Sequence, residues 1–369
     1  MTTIAFTGGG TGGHIYPGLA LTSYLKQQFP SRIGRIFWIG SSTGMDRAVI
    51  EAAGLEFYGV PTGKLRRYFS FKNFLDLFKI AAGFFAARSI LKREKPALLF
   101  SKGGFVSVPP CAAAASLGIP VFTHESDYSP GLATRINARF AEKIFVPYRE
   151  TAAFFKKNLR NKIIVAGNPI RPEFQNADPA KGRAFLGVGE ERLLLVLGGS
   201  LGAREVNELI RETLPELTKI YTVVHQTGAG QDGSYRSGER YRVFPYIKEE
   251  LPHIIAAAEV VICRCGANTL WECASLGRPL ALIPLRGAGT RGDQVENARI
   301  FEEAGCAVNL VGSGISGGIS AECLVKAVYA LAGDDAKRAA MSAAAAGIVS
   351  VGGTARIAEE IVRSAYESR

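Results

Sequence analysis

Short runs of apolar residues alternate with amphipathic stretches along the whole chain. In the first half these runs are IAF at residues 4–6, RIFWIG, GLEFYGV, PALLF, IPVFT and KIFV. Apolar runs of this length, separated by segments with helical spacing, are typical of parallel strands that are buried on both faces. The pattern therefore predicts a parallel sheet covered by helices on both sides.

The same alternation begins again in the second half. LLLVL at residues 193–197 is followed by YTVVHQ, YRVF, VVIC, RPLALIPL and CAVNLV, and IIVAGNPIRPEF marks a crossover between the halves. A chain of 369 residues has room for two domains. We predict an α/β fold with two Rossmann-like domains facing each other across a cleft. The first is residues 1–165 with a C-terminal helix at about 350–369, and the second is residues 166–349.

Glycine-rich or polar loops follow three strands of the first half. They are GGGTGGH at residues 8–14, SKGGFVS at 101–107 and HESD at 124–127. The carboxyl ends of parallel strands meet at one edge of a sheet, and glycines let backbone amides approach a phosphate. The loops therefore predict an anion site. His14 is a candidate general base beside it, with phosphate binding or support of the loop as alternatives, and Glu125 is a second candidate.

The second half carries a similar set of loops. GGSLGA at residues 198–203 opens a helix, and VVIC leads through Arg264 to a helix that starts near Ala267 and carries Glu272. A helix N-terminus can hold a diphosphate, and a glutamate one turn in can accept hydrogen bonds from ribose hydroxyls. A helix with a favourable acid near its start is the alternative. Residues 291–297 form a polar loop that indicates a sugar-binding element, and Arg171 could face a phosphate or lie on the surface.

The charge of the chain indicates an anionic partner. Lys and Arg number 44 against 33 Asp and Glu, a net charge of +11. Aromatic residues at helical spacing with basic neighbours, at residues 64–96, predict either a core-facing helix with a solvated basic side or a surface resting on an anionic membrane. We expect no nucleic-acid partner, because its binding modules do not appear. We also expect no signal peptide and no apolar run long enough to span a bilayer, hence a cytoplasmic protein.

The motifs in their order resemble the MurG family of glycosyltransferases. They are TGGGTGGHIYPGLA, SKGGFVSVP, HESDYSPGLATR, GNPIR, GGSLGA and CRCGANTLWECASLGRP, and they cover essentially the whole chain. The resemblance implies the GT-B fold and an inverting enzyme of peptidoglycan synthesis. Its members transfer N-acetylglucosamine from UDP-N-acetylglucosamine to the muramyl 4-hydroxyl of undecaprenyl-pyrophosphoryl-N-acetylmuramyl-pentapeptide (lipid I), giving lipid II. It also implies a peripheral location on the inner face of the plasma membrane.

The resemblance also assigns site residues. The acceptor diphosphate would lie on Gly9, Gly10, Gly103, Gly104 and Ser107. For the base that an inverting reaction needs, His14 is our first choice, because it lies on a rigid loop at the mouth of the predicted cleft. The donor would contact Thr11, Gly12, Gly13, Asp127, Arg171, Ser200, Ile247, Ala267, Asn268, Thr269, Leu270, Glu272, Asp293 and Gln294. The membrane patch would comprise Arg66, Arg67, Phe71, Phe74, Phe78 and Phe85.

Two positions depart from the pattern of some members. Asp127 stands where some have Asn, and Asp293-Gln294 stands where some have a Gln-Gln pair. A carboxylate accepts a hydrogen bond from a sugar hydroxyl but cannot donate one, so these positions bear on the choice of sugar. No acidic metal-ligand set is evident beside the donor loops, and we expect no cofactor; the need for a divalent cation stays open. The alternatives are a UDP-N-acetylglucosamine epimerase, another glycolipid-forming transferase of this fold, and a nucleotide-sugar binding protein without activity.

Overall fold

The computed structural model describes residues 1–63, 71–199, 202–229, 235–286, 292–310, 319–349 and 352–367. For residues 71–75 and 367 it describes the backbone only. Of the predicted site residues, Arg66, Arg67 and Ser200 lie outside the described residues, as do the side chains of Phe71 and Phe74.

The chain divides into two compact units. Unit 1 comprises Met1–Arg171 with Gly352–Arg369, and unit 2 comprises Pro172–Val351. Arg171, which the sequence analysis assigned to the second domain, is the last residue of the first segment of unit 1.

Unit 1 begins with strands and helices in strict alternation. Its elements are β1 (Thr2–Thr7), α1 (Gly12–Gln28), β2 (Ile33–Ser41), α2 (Asp46–Ala52), β3 (Glu56–Val60), α3 (Phe71–Glu94), β4 (Leu98–Ser101), α4 (Val108–Ser116), β5 (Val121–His124), α5 (Leu132–Asn137), β6 (Lys143–Val146) and β7 (Ile163–Val165). Within the described residues the strands form one parallel sheet in the order β3-β2-β1-β4-β5-β6-β7. The segment interpreted as a crossover therefore contributes the edge strand β7.

Unit 2 repeats this plan. Its elements are α6 (Pro179–Leu186), β8 (Leu193–Leu197), α7 (Arg204–Leu217), β9 (Thr222–Gln226), β10 (Tyr241–Phe244), α8 (Leu251–Ala257), β11 (Val260–Cys263), α9 (Ala267–Ser275), β12 (Leu280–Leu282), α10 (Asp293–Glu303), β13 (Ala307–Asn309), α11 (Ala321–Ala332) and α12 (Asp335–Ile348). The described strands form a second parallel sheet in the order β10-β9-β8-β11-β12-β13.

The last helix, α13 (Gly353–Glu367), returns to unit 1. Its apolar face, which includes Ile357 and Ile361, is buried in the same core as Ile4 of β1 and Leu21 of α1. Gly353 lies so close to strand β7 that a Cβ there would stand 2.3 Å from the Ala166 carbonyl oxygen. The amphipathic pattern of the C-terminus therefore serves to complete the core of unit 1.

Burial on both faces explains why the strands read as continuous apolar runs. All five residues of β8 are buried, and so are Ile4, Ala5 and Phe6 of β1. Each buried strand packs against helices on both sides, because the connections between parallel strands must cross the faces of the sheet. The predicted fold class, α/β with two Rossmann-like domains, is confirmed. How the two domains face each other stays a prediction.

Candidate functional site

Each sheet has one place where the strand order reverses. In unit 1 it lies between β1 and β4, and in unit 2 between β8 and β11. The connections after two such neighbouring strands run to opposite faces of the sheet, and this leaves a crevice at their carboxyl ends. The loops that follow these four strands are therefore the candidate ligand-binding loops of each unit.

A buried carboxylate holds the loop after β1. Asp46 accepts hydrogen bonds from the backbone N–H of Gly10 at 2.9 Å and of Ser41 at 3.1 Å. Gly9 lies against the same side chain, and a Cβ there would stand 2.0 Å from Asp46 Oδ2. Only glycine allows the chain to pass this close. The amides of the loop are therefore held in place directly before α1.

The loop after β4 packs on the loop after β1. Gly103 and Gly104 have φ angles of +83° and +76°, a region that favours glycine. A Cβ on Gly104 would stand 2.7 Å from the Gly9 carbonyl oxygen and 2.8 Å from His14 Cδ2. The structure therefore brings together both predicted glycine loops and the candidate base.

Hydroxyl groups support the second loop from within the protein. Asn137 Nδ2 donates to Ser101 Oγ at 3.1 Å and to Ser107 Oγ at 2.8 Å. Ser107 Oγ in turn donates to the Gly104 carbonyl oxygen at 2.8 Å. Ser107 is fully buried. Its hydroxyl therefore fixes the position of Gly104.

The amino end of α1 faces the same edge of the sheet. The helix begins at Gly12, Thr11 precedes it with an extended backbone, and its first turn, all of which is described, carries no acidic residue. Thr11 and Gly13 are exposed and His14 is half-buried. The positive end of the helix dipole makes this turn suitable for an anion.

The loop after β5 is built around Glu125. Its Oε1 accepts from the N–H of Ser126 at 2.8 Å and of Asp127 at 3.1 Å, and its Oε2 accepts from Gly131 N–H at 2.9 Å. The side chain is buried. A carboxylate that satisfies three backbone amides has a structural role. The arrangement favours His14 over Glu125 as the base and places the half-buried Asp127 on a fixed loop.

Two buried basic side chains lie behind these loops. Lys102 is 1% exposed, and burial lowers its pKa to about 8 despite the attraction of Glu125 and Asp127. His124 is fully buried, and its Nε2 donates to the Gly167 carbonyl oxygen at 2.9 Å. Burial, together with the positive charge of Lys102, lowers the pKa of His124 well below its usual range. His124 is therefore neutral near pH 7.

Unit 2 has a cavity of about 430 Å³ at its own switch point. It lies between the loops after β8 and β11 and the starts of α7 and α9. The residues that line it are Leu197, Gly198, Gly199, Gly202, Ala203, Arg204, Glu205, Arg264, Gly266, Thr269, Leu285 and Gln294. Glycines and helix N-termini around a cavity of this size fit a phosphate-bearing ligand.

The predicted donor residues of unit 2 divide into two groups. Thr269 and Gln294 line the cavity, and Gln294 Oε1 also accepts from Leu285 N–H at 2.9 Å. Ile247 is buried outside the cavity lining, and its N–H donates to Gln226 Oε1 at 2.9 Å. Among the described residues, the other predicted donor positions of this unit lie outside the cavity lining; they are Ala267, Asn268, Leu270, Glu272 and Asp293.

Arg264 is a cavity residue to which the sequence analysis gave no role. Its side chain is 11% exposed, and its Nη1 lies 3.6 Å from Glu205 Oε2. Burial lowers the pKa of Arg264, while Glu205 raises it. The sequence feature that could have identified Arg264 is its position directly after a buried strand, at the carboxyl edge of the sheet. Lys102 holds the same position after β4, but its burial, like that of Asp46, depends on the tertiary fold.

Helix α3 presents apolar side chains to solvent. Leu77, Phe78 and Phe85 are 56%, 61% and 68% exposed, whereas Ala87 and Leu91 form the buried face. Phe78 and Phe85 are two turns apart and therefore share one side of the helix. The sequence left two interpretations of this helix, a core-facing apolar side and an exposed aromatic surface. These two residues fit the exposed surface.

One stretch differs from the expectation that no apolar run could span a bilayer. Among the described residues, Asp335–Tyr366 meets the length and hydropathy requirements, with a mean hydropathy of 1.2. It comprises α12 and α13, whose buried residues pack in the cores of unit 2 and unit 1 respectively. Core helices pass the same test, so this is weak evidence for a span.

The described part of the chain contains no cluster of three or more His, Cys, Asp or Glu side chains that could hold a metal ion.

Comparison with known proteins assigns the family. Residues 4–146 match the glycosyltransferase family 28 N-terminal domain, and residues 193–361 match the glycosyltransferase family 28 C-terminal domain. A protein from Treponema denticola is 48% identical over 336 residues, which is 85% of each chain. One from Shouchella clausii is 44% identical over 309 residues, 83% of this chain and 85% of the relative. Both relatives are named UDP-N-acetylglucosamine--N-acetylmuramyl-(pentapeptide) pyrophosphoryl-undecaprenol N-acetylglucosamine transferase.

Solved structures share the fold. The crystal structure of Acinetobacter baumannii MurG has a TM-score of 0.73 with 24% identity, covering 98% of this chain and all of that one. A putative UDP-N-acetylglucosamine 2-epimerase from Listeria monocytogenes has a TM-score of 0.69 with 14% identity, covering 100% of this chain and 97% of that one. The fold alone thus fits both a transferase and an epimerase, whereas the sequence relatives are transferases. The chain belongs to glycosyltransferase family 28 and, within it, to the MurG family.

Proposed function

We propose that the protein transfers N-acetylglucosamine from UDP-N-acetylglucosamine to the muramyl 4-hydroxyl of lipid I, with inversion at the anomeric carbon. The observation that carries the proposal is 48% identity, over 85% of the chain, to a relative named for this transfer. The two glycine-lined sites, one at each switch point, are consistent with one acceptor and one donor that both carry a diphosphate. The product is lipid II, so we assign the protein to peptidoglycan synthesis and hence to maintenance of cell shape and division.

The acceptor diphosphate is proposed to bind in unit 1. The loop of Gly9 and Gly10, the loop of Gly103 and Gly104, and the first turn of α1 lie at one edge of the sheet. The N–H groups of Gly10 and Gly103 donate to Asp46 and Ser101, so they hold the two loops in place before the ligand arrives. Preorganised loops at a helix N-terminus stabilise phosphate charge without the cost of ordering the chain.

The donor is proposed to bind in the cavity of unit 2. The diphosphate would lie on the glycine loop after β8 and on the start of α9, where Thr269 lies. Arg264, which lines the same cavity, would neutralise part of its charge. Glu272, one turn into α9, would accept hydrogen bonds from the ribose, and Ile247 would meet the uracil.

The proposed mechanism is a direct displacement. The muramyl hydroxyl attacks the sugar carbon that bears UDP, and His14 removes the hydroxyl proton as the bond forms. The UDP diphosphate leaves as the carbon–oxygen bond breaks, and helix amides and Arg171 stabilise its charge. His14 is suited to this role because it is half-buried and rests against a rigid glycine loop. Glu125 is not chosen, because its carboxylate is occupied by backbone amides.

The exposed side of α3 is proposed to rest on the anionic inner face of the plasma membrane, which carries the lipid acceptor. Phe78 and Phe85 would enter the interface, and Lys79 and Lys92 on the exposed surface of the helix would approach lipid headgroups. The net charge of +11 favours the same surface.

Label transfer tests the function directly. Purified protein is incubated with radiolabelled UDP-N-acetylglucosamine and a lipid I analogue, with EDTA in one series and Mg²⁺ in another, and labelled lipid and UDP are measured. We expect transfer that depends on the analogue and persists in EDTA. Conversion of the donor to its epimer without transfer would assign the chain to the epimerases, and binding without turnover would contradict any catalytic role with this acceptor.

A further inference from the structure

A lysine side chain is enclosed behind the glycine loop of β4. Lys102 directly precedes Gly103, its backbone N–H donates to the Thr7 carbonyl oxygen at 2.8 Å, and its side chain is 1% exposed. Its Nζ donates to Ser126 Oγ at 2.5 Å. An ammonium at this depth is costly to bury unless opposite charges and hydrogen bonds compensate for the lost water.

Three titratable groups face this ammonium among the described residues: Glu125, Asp127 and His124. His124 is neutral and contributes no compensating charge. Glu125 is fixed by three backbone amides, so its negative charge cannot move toward a ligand. Asp127 is half-buried, and its carboxylate is the charge near Lys102 that remains partly open to solvent.

Ser126 links Lys102 to the loop that carries Asp127. Its N–H donates to Glu125, its carbonyl oxygen accepts from Asn168 Nδ2 at 3.0 Å, and its hydroxyl accepts from Lys102. Asn168 is itself buried. The residue directly before Asp127 is therefore held on three sides, and one of the three contacts carries a positive charge.

We propose that Lys102 is a positioning residue for the donor sugar: its buried ammonium fixes Ser126 and balances the charge of Asp127, so that this carboxylate is held where it can accept a sugar hydroxyl. The inference rests on the proposed function, and within it on the donor-sugar contact that the family resemblance assigns to Asp127.

The proposal predicts a dependence on pH that an ordinary surface lysine would not give. Because burial lowers the pKa of Lys102 to about 8, the side chain loses its charge at mildly alkaline pH. The charged form is the one that positions Asp127, so donor affinity is full below this pKa and falls as the pH rises through it. His124 does not titrate in this range, because its pKa lies well below its usual value.

The first experiment measures UDP-N-acetylglucosamine affinity by calorimetry from about pH 6.5 to about 9.5. In the wild-type protein we expect affinity to fall above about pH 8. Lys102→Arg, which keeps its charge throughout, should abolish the fall, and Asp127→Asn should shift it downward by roughly 0.5–1 pH unit because an attractive charge is lost. Affinity that is constant over the whole range would overturn the proposal.

The second experiment tests the coupling of the two side chains. Lys102→Met keeps the length of the stem and removes the charge, and we expect about tenfold weaker donor binding with acceptor KM changed by less than about twofold. In Lys102→Met, the further change Asp127→Asn should cost clearly less than it does in the wild-type protein. Two effects that multiply independently, or equal effects on donor and acceptor, would overturn the proposal.

Two controls separate the possible failures. If Lys102→Met does not fold, as judged by circular dichroism, ¹³C-lysine NMR of the wild-type protein and of Asp127→Asn measures the pKa of Lys102 directly. An ordinary lysine pKa that Asp127→Asn leaves unchanged would refute the charge pairing. Wild-type protein that binds the donor with the expected pH dependence but transfers no sugar would refute the proposed function alone. Normal transfer with a pH-independent donor affinity would refute this inference alone.

Discussion

The position of Gly104 offers a sharp test of the proposed acceptor site. We consider Gly104→Ala, with Gly118→Ala as a matched control. The two glycines have φ angles of +76° and +70°, so both substitutions place an alanine at a positive φ. A Cβ on Gly118, in the turn before β5 at the opposite edge of the sheet, would meet no atom within 4 Å.

The two substitutions share one cost and differ in another. A positive φ costs alanine about 1–3 kcal/mol of stability in either position, and the ψ of 155° at Gly104 lies in a region that is essentially restricted to glycine. Gly104→Ala also brings a Cβ to 2.7 Å from the Gly9 carbonyl oxygen and 2.8 Å from His14 Cδ2, closer than real Cβ contacts allow. The loop or His14 must therefore move. Because a displacement of about 1 Å can cost roughly a hundredfold in rate, we expect kcat to fall about ten- to a hundredfold.

The assay combines urea unfolding with initial rates of label transfer at saturating substrates. Gly118→Ala should lower stability and leave kcat within about twofold of the wild-type value, whereas Gly104→Ala should lower both. Equal rates for the two variants would refute the reasoning. That result would mean that the contact of Gly104 with Gly9 and His14 does not hold the catalytic geometry.

Three further predictions concern the base, the loop support and the membrane surface. His14→Ala should lower kcat by roughly 10²–10⁴ at saturating substrates in the transfer assay while donor affinity by calorimetry persists. Asp46→Ala should destabilise the protein by about 3 kcal/mol or more in urea unfolding, because two backbone amides lose a charged acceptor. Phe78→Glu with Phe85→Glu should weaken binding to anionic vesicles in a sedimentation assay, because exposed apolar area is replaced by repelled charge, and should spare transfer to a water-soluble acceptor.

Each of these has a control and a contrary result. Near-normal turnover of His14→Ala would remove it as the base. Glu51→Ala, in the same helix as Asp46 but in an exposed pair with Arg47, should change stability by less than about 1 kcal/mol, and an equal loss for both variants would contradict the loop-support argument. Phe185→Glu alters an exposed aromatic of unit 2 and should leave vesicle binding unchanged. Vesicle binding that survives the α3 change would contradict the membrane surface.

Sequence periodicity was sufficient to predict the fold class and the approximate position of the site. A strand buried on both faces must be apolar throughout, so runs such as Leu193–Leu197 are visible without a structure. A glycine run directly after such a strand falls at the carboxyl edge of the sheet, wherever the strand lies. The loops after β1, β4 and β5 could be assigned to one edge for this reason.

Strand order and burial were decided by the tertiary structure alone. The contact of Gly104 with His14 requires β1 and β4 to be neighbours, although α1, β2, α2, β3 and α3 separate them in sequence. Asp46 supports Gly10 from 36 residues away, and nothing in the surrounding sequence distinguishes it from a surface acid. Lys102 follows a buried strand, but the sequence alone does not distinguish it from an exposed lysine. Its enclosure depends on β5 and the loop that carries Ser126. Periodicity is a local property of the chain, whereas the partners of a buried charge are set by which distant strands become neighbours.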